Sequence, residues 1–458
     1  MNPGRWLRRR SPALATALLL AAPLSARADE PPKPAEASAS APTNEELARR
    51  IEALTQELES LKLGEVAAPA EKPAAEAGKT EGSPAPEKTT VFGLGPGASK
   101  VYRVKSGLSI GGYGESVYQN FDAQPDSGAA SGKTNEWDYL RAVLYVGWKF
   151  SPKFVLNTEI EYEHGSTGKG GEVSVEFATL DWLARKEVAV RAGLVLAPVG
   201  LVNEMHEPPT FLGARRPDVE TAVLPSTWRM GGLGALGEVG PVAYKLYVVE
   251  SLYAKGFTAS TGIRGGRQSG AKAKADDLAV TGRVDLVSVP GLLAGVSLFT
   301  GDTGQDLSVG GVEVDARTTT FDVHAEYRIG GLWLRGLWAT VSVDDADLVN
   351  QANGFTGSKS VGERIEGWYL QAGYDVGPLV TGKRSIALTP FVRYEELDTQ
   401  KEVPDGYARD GANDRRIWTL GLDFKPLPQV SVKVDYQDYR NAAGSGVDQW
   451  NVALGYLF

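Results

Sequence analysis

The chain has 458 residues, with 54 glycines, 26 prolines, three histidines, no cysteine and a formal net charge of −9. The lack of cysteine excludes disulfides, thiolate catalysis and thiolate metal sites, and the acidic balance argues against a nucleic-acid partner, which wants a basic face. The hydrophobic fraction of 42% is ordinary. Past the N-terminus no apolar run reaches the roughly 18 residues a spanning helix needs, and the glycines keep no three-residue period, so collagen is excluded.

Residues 1–28 read as a secretory signal peptide. Arg5, Arg8, Arg9 and Arg10 form a positive region, an apolar run follows over Ala13–Ala22, and Ala26-Arg27-Ala28 fits the small-x-small cleavage rule. The run is too short for a membrane anchor. Residues 29–43 and 65–100 are rich in Pro, Ala and Glu and cannot bury enough apolar surface to offset chain entropy, so both are expected to be linkers. Between them, over 44–64, Leu47, Ile51, Leu54, Leu58 and Leu61 follow the a/d seam of a coiled coil. Thr43 or Asn44 can cap this helix, with Glu46 completing a capping box, and Gly64 offers the stop. So short a helix is marginal alone in water, which favours self-association. The alternative is an amphipathic helix lying on the rest of the chain or on a partner.

From residue 101 to 458 the pattern changes to a dyad alternation. In Tyr139–Phe150, Leu140, Ala142, Leu144, Val146, Trp148 and Phe150 share one face, and Arg141, Tyr145, Gly147 and Lys149 the other. After Ser151-Pro152-Lys153 the next run sets Phe154, Leu156, Ile160 and Tyr162 against Asn157, Glu159, Glu161 and Glu163. A carboxylate at every second position is tolerable only on a face that meets water. The same alternation recurs around Arg191, Lys245, Arg283, His324, Arg393 and Lys433. One run, Leu332–Ser342, is ambiguous, because Trp333 shares a face with Arg335.

Soluble sandwiches also alternate, so length decides. These runs are about 9–12 residues, which suits a tilted strand crossing a bilayer and exceeds the 5–6 of soluble sheets. Short Pro- or Gly-bearing turns alternate with long, polar, Gly- and Asp-rich connections, the asymmetry of outer-membrane barrels with short periplasmic turns and long external loops. The fold expected is all-β: a 16-stranded antiparallel transmembrane β-barrel behind a short periplasmic coiled-coil helix. Aromatics gather at strand ends, and the last run, Trp450–Phe458, alternates aromatic and aliphatic residues and finishes on Phe458. That ending looks like the signal read by the bacterial barrel-assembly machinery. The longest connection, Ala197–Trp228, carries Met205, Phe211 and Leu212 among Glu204, His206, Glu207, Arg215 and Arg216, with Arg229 just beyond. A loop of this length in a compact domain is usually functional or disordered, and its apolar residues imply that it packs on something, which favours the functional reading.

The stretch from Leu140 to Phe150, Glu159–Glu163, Val190–Gly193 followed by Pro198-Val199-Gly200, Arg229-Met230-Gly231 and the terminal Phe458 together resemble the phosphate-selective porin O and P family, over essentially all of 101–458. The resemblance implies a trimeric, water-filled outer-membrane channel for small hydrophilic solutes, with anions such as phosphate the favoured class. It also implies that the third long loop, 197–228, folds inward and narrows the pore. Arg215, Arg216 and Arg229 are carried over as its basic residues, with Glu204 and Glu207 beside them and Arg141, Lys149 and Arg191 on the wall. A ring of one sign would fix ion choice; here acids and bases mix, which predicts a transverse field and mild selectivity. The alternative role for the loop arginines is to bridge Glu204, Glu207, Asp218 and Glu220 and brace the loop.

Membrane lipid, lipopolysaccharide and the assembly machinery are the partners expected besides solutes; no cofactor, metal site or nucleic acid is expected. An enzyme is disfavoured: His164, His206 and His324 are scattered, and none stands by a serine on the outer face. A non-conducting structural or adhesive barrel and a sugar channel are the rival readings.

Overall fold

The computed structural model describes residues 90–458. The signal peptide, the 29–43 linker, the coiled-coil helix and most of the 65–100 linker lie outside the described residues. The body begins with a segment carrying the single turn α1 (Lys100–Arg103). Nine strands follow: β1 (Gly107–Phe121), β2 (Glu136–Ser151), β3 (Phe154–Glu163), β4 (Val173–Trp182), β5 (Ala189–Leu196), β6 (Arg229–Val239), β7 (Val242–Glu250), β8 (Leu278–Leu286) and β9 (Leu292–Gly301). A small hairpin, β10 (Ser308–Val309) and β11 (Val312–Glu313), decorates the next loop. The remaining strands are β12 (Thr318–Ile329), β13 (Leu332–Val343), β14 (Arg364–Tyr374), β15 (Ala387–Glu402), β16 (Asp414–Leu427), β17 (Val430–Asn441) and β18 (Gln449–Leu457).

Apart from the hairpin, each strand pairs antiparallel with its sequence neighbours, and β18 closes on β1 through a register running from Tyr113↔Leu457 to Phe121↔Gln449. The result is a closed barrel of sixteen strands, and closure leaves no edge strand to manage. The dyad pattern sorts as read. Leu246, Val284, Val323, Leu420 and Val434 are exposed outward, while Glu159, His324, Arg393 and Lys433 are buried inward. Trp333 does face inward with Arg335. Its indole N–H donates to Glu326 at 3.1 Å, and the Arg328 guanidinium lies 3.6 Å from its ring centroid, so the lumen supplies both a polar and a cation–π partner.

Outward aromatics form a row across consecutive strands. Trp338 lies opposite Trp368, Tyr394 opposite Trp418, Tyr436 opposite Trp450 and Tyr118 opposite Trp137. The long connections, such as 197–228 and 251–277, leave one end of the barrel, and two-residue turns such as 240–241 and 330–331 close the other. Strict alternation fails once. The connection 375–386 belongs to the short-turn end yet holds α2 (Gly377–Thr381), with proline at its start and Gly382 closing it at positive φ. Gly377-Pro378 suits the first turn of a helix, and the Asp375 carboxylate accepts from the N–H groups of Gly377 and Leu388.

Candidate functional site

The inside of the barrel is full. The 197–228 loop leaves β5, turns into the lumen and returns to β6, and most of its residues from Val199 to Trp228 are buried. A polypeptide that enters a barrel takes backbone N–H and C=O groups away from water, and each must find a partner or cost free energy. The wall supplies them. Lys433 donates to the carbonyls of Pro208 (2.7 Å) and Phe211 (2.8 Å), Lys425 to Pro209 (2.8 Å), and Arg393 to Leu212 (3.3 Å) and Arg215 (3.4 Å). Arg328 and Arg335 both reach Thr210, and Arg283 reaches Gly200. Wall carboxylates take the opposite groups: Asp322 accepts from Gly200 N–H (3.0 Å), Asp435 from Ala214 (2.6 Å) and Glu395 from Val219 (3.2 Å). The alternating charges therefore hold a loop rather than line open water.

The sequence-predicted residues distribute unevenly. Arg141 sits between Glu161 (3.0 Å) and Glu115 (3.3 Å), and Arg191 grips Asp181 at 2.9 and 2.8 Å. Lys149 donates to the Tyr102 carbonyl at 2.7 Å. Arg229 pairs with Glu176, and Glu204 with Lys245. Arg216 is half-buried and donates weakly to the His206 carbonyl. Arg215 is exposed, with no carboxylate among the described residues at ion-pair distance.

The proposed bracing does not take the expected form. Glu204, Glu207, Asp218 and Glu220 brace the loop, but through wall and backbone groups instead of the loop arginines. Glu220 accepts from Leu201 and Val202 N–H (both 2.7 Å) and from the Tyr369 hydroxyl (2.6 Å), and Asp218 accepts from Tyr439. Glu207 accepts from Gly97 N–H (2.9 Å) and Ala98 N–H (3.1 Å). Burial pushes the Glu207 carboxyl up to about 7, against those two donors, which favour the charged form. Burial also works against charge on His206, but the Glu159 carboxylate 3.1 Å away more than offsets it, so its pKa rises.

Two residues escaped the sequence reading because they lie in a connection taken as external. Arg264 and Arg267 of the 251–277 loop reach down to the carbonyls of Ser226 and Thr227, the arm of the inner loop that leads to β6. They join Arg141, Arg216 and Arg229 as one basic group: burial first, then the charges of Arg267, Arg216 and Arg141, hold the Arg264 guanidinium below its ordinary value. The charges of Glu176, Glu163 and Glu172 act on Arg267 in the opposite sense. The arrangement is a group of arginines with carboxylates among them, and Arg215 is exposed on the inner loop.

At the short-turn end a cavity of about 310 Å³ opens between β6–β9, β12, Met205 of the loop and the segment 90–93. His324 belongs to no nucleophilic set. Its two ring nitrogens face Asp322 (2.6 Å) and Asp285 (2.8 Å), and the Ser297 hydroxyl is bonded to Asp322 rather than to the imidazole.

Against known proteins, the chain is 35% identical over 380 residues to an uncharacterized protein of Aquifex aeolicus (strain VF5), covering 80% of this chain and 83% of that protein. No protein-family model matches it. Among solved structures, OmpF of Salmonella typhi in complex with daunomycin aligns over 77% of this chain and 98% of its own, with 13% identity and a TM-score of 0.50. The anion-selective porin of Comamonas acidovorans aligns over 77% and 100%, with 15% identity and a TM-score of 0.48. At such identities the likeness is one of fold.

Proposed function

The chain belongs to the same family as the uncharacterized Aquifex aeolicus protein, and we propose that it is an outer-membrane porin, a passive channel for small hydrophilic solutes with a preference for anions. One observation carries this reading: a closed barrel turns an apolar, aromatic-girdled face outward and folds its longest loop into its own lumen. Monomeric soluble proteins rarely expose contiguous apolar patches above a few hundred Å², whereas lipid covers such a face without penalty.

The arginine cluster supports the anion preference. Arg141 and Arg229 are already paired with Glu161 and Glu176, but burial and neighbouring guanidiniums disfavour charge on Arg216, Arg264 and Arg267, so an entering anion relieves repulsion there. Phosphate is the anion drawn from the resemblance to the O and P family, and a homotrimer, cleavage of residues 1–28 and a periplasmic coiled-coil arm over 44–64 complete the reading. Lipopolysaccharide and the assembly machinery, the latter through Phe458, are its envelope partners. On this reading the protein works as a passive channel, and the carboxylates around His324 serve to hold its ring.

Planar-bilayer recording tests the proposal. Stepwise conductance and a reversal potential of anionic sign across a KCl gradient are expected. Arg215→Glu combined with Arg216→Glu should lower the anion preference, and a barrel that inserts yet passes no current in any variant would end the channel reading.

A further inference from the structure

The segment ahead of β1 is seated inside the short-turn mouth by contacts to both the wall and the inner loop. The Tyr102 hydroxyl donates to Asp181 (2.6 Å) and accepts from Arg191 (3.0 Å), while Lys149 holds the Tyr102 carbonyl and Asn157 donates to the Ala98 carbonyl (2.9 Å). Phe92 meets the Tyr102 ring edge-on at 5.6 Å, under the Arg191 guanidinium. Glycine makes the close approach feasible on both partners. A Cβ on Gly95 would stand 2.4 Å from the Glu207 carboxyl carbon, and one on Gly97 would stand 2.7 Å from Leu457. On the wall, a Cβ on Gly147 would meet Val101 at 2.5 Å. These polar contacts and missing side chains add to an apolar seat, in which Leu94, Ala98, Val101 and Tyr102 are buried with Tyr145, Val155 and Phe177 of the wall.

We propose that residues 91–103 are a strap that sets the bore of the channel at its short-turn end, clasped by Glu207 of the constriction loop. The inference rests on the porin reading and concerns the regulation of the same path. Two features carry it. The strap forms one side of the short-turn cavity, through Phe92 and Gly93 opposite Lys245 and Arg328, so a looser seat widens that cavity. Its hold on the loop is a single carboxylate receiving two backbone N–H groups.

The test uses the full chain, which has no cysteine of its own. Val101→Cys with Gly147→Cys sets two Cβ positions 2.7 Å apart as the backbones stand, nearer than the roughly 3.5–4.5 Å of a relaxed disulfide, so the strap must shift slightly outward to be tied to β2. Gly95→Val does the reverse, driving a side chain into the Glu207 carboxylate. Folding of each is checked by the heat-modifiable band of a closed barrel. In planar bilayers the oxidised bridge is expected to give the smallest unit conductance, and reduction to restore the wild-type value. Gly95→Val should exceed wild type by about twofold or more, as a wider bore conducts more. If the double-cysteine variant does not fold, Gly95→Val decides alone. Channels that conduct identically when bridged, reduced or loosened would overturn the strap and leave the porin reading standing. No conductance in any form would instead overturn the porin reading.

Discussion

Lys433 shows how a lumenal charge works in this protein. The residue is 1% exposed, and its ammonium group satisfies two loop carbonyls and lies 3.8 Å from the centre of the Phe211 ring. Replacing it with methionine keeps the bulk and strips the donors, which leaves two buried acceptors unmade at about 1–3 kcal/mol each. Lys433→Met is therefore expected to unfold at lower temperature in a heat-modifiability series and to conduct with more noise, because the loop loses its anchor near β17. A variant as stable and as quiet as wild type would show that the contact is incidental. Alternation alone placed Lys433, Arg393 and Asp435 on the inner face. It could not tell a charge facing water from one facing a peptide group, since both environments select the same residue types.

At the scale of elements, strands were far more legible than the loops between them. A strand such as β16 announces itself because Trp418, Leu420, Leu422 and Phe424 recur at every second position, and the bilayer enforces that period on any residue that touches it. A charge there is predicted to be costly according to depth. Leu420→Arg, at the middle of β16, should destabilise by about 2–4 kcal/mol in equilibrium unfolding from lipid vesicles, and Trp450→Arg, near the long-loop end of β18, by about 0–1 kcal/mol. Equal costs at the two sites would mean that the face does not sample a depth gradient. The inner elements obey no such period. The strap could have been suspected from Val91-Phe92 and Val101-Tyr102, apolar pairs in an otherwise Pro- and Ala-rich lead. Arg264 and Arg267 gave no signal at all, because their partners are carbonyls of a loop distant in sequence.

For the whole molecule, the account joins two solvents. On the proposed reading lipid meets an outer surface carrying Trp338, Trp368, Trp418 and Trp450, while the inner surface grips a folded loop and strap. The closed topology was legible because an even count of long strands has few other ways to satisfy its backbone in a membrane; the filled lumen was not, because filling depends on which of many wall charges meet which carbonyls. The central claim is that outward aromatics touch acyl chains while inward ones do not. It is tested most directly by brominated-lipid quenching of single-tryptophan variants in vesicles, one retaining Trp418 and one retaining Trp228, which is fully buried 4.7 Å from Phe299. The account predicts strong quenching of Trp418 and almost none of Trp228. Quenching of both alike, or of neither, would contradict it.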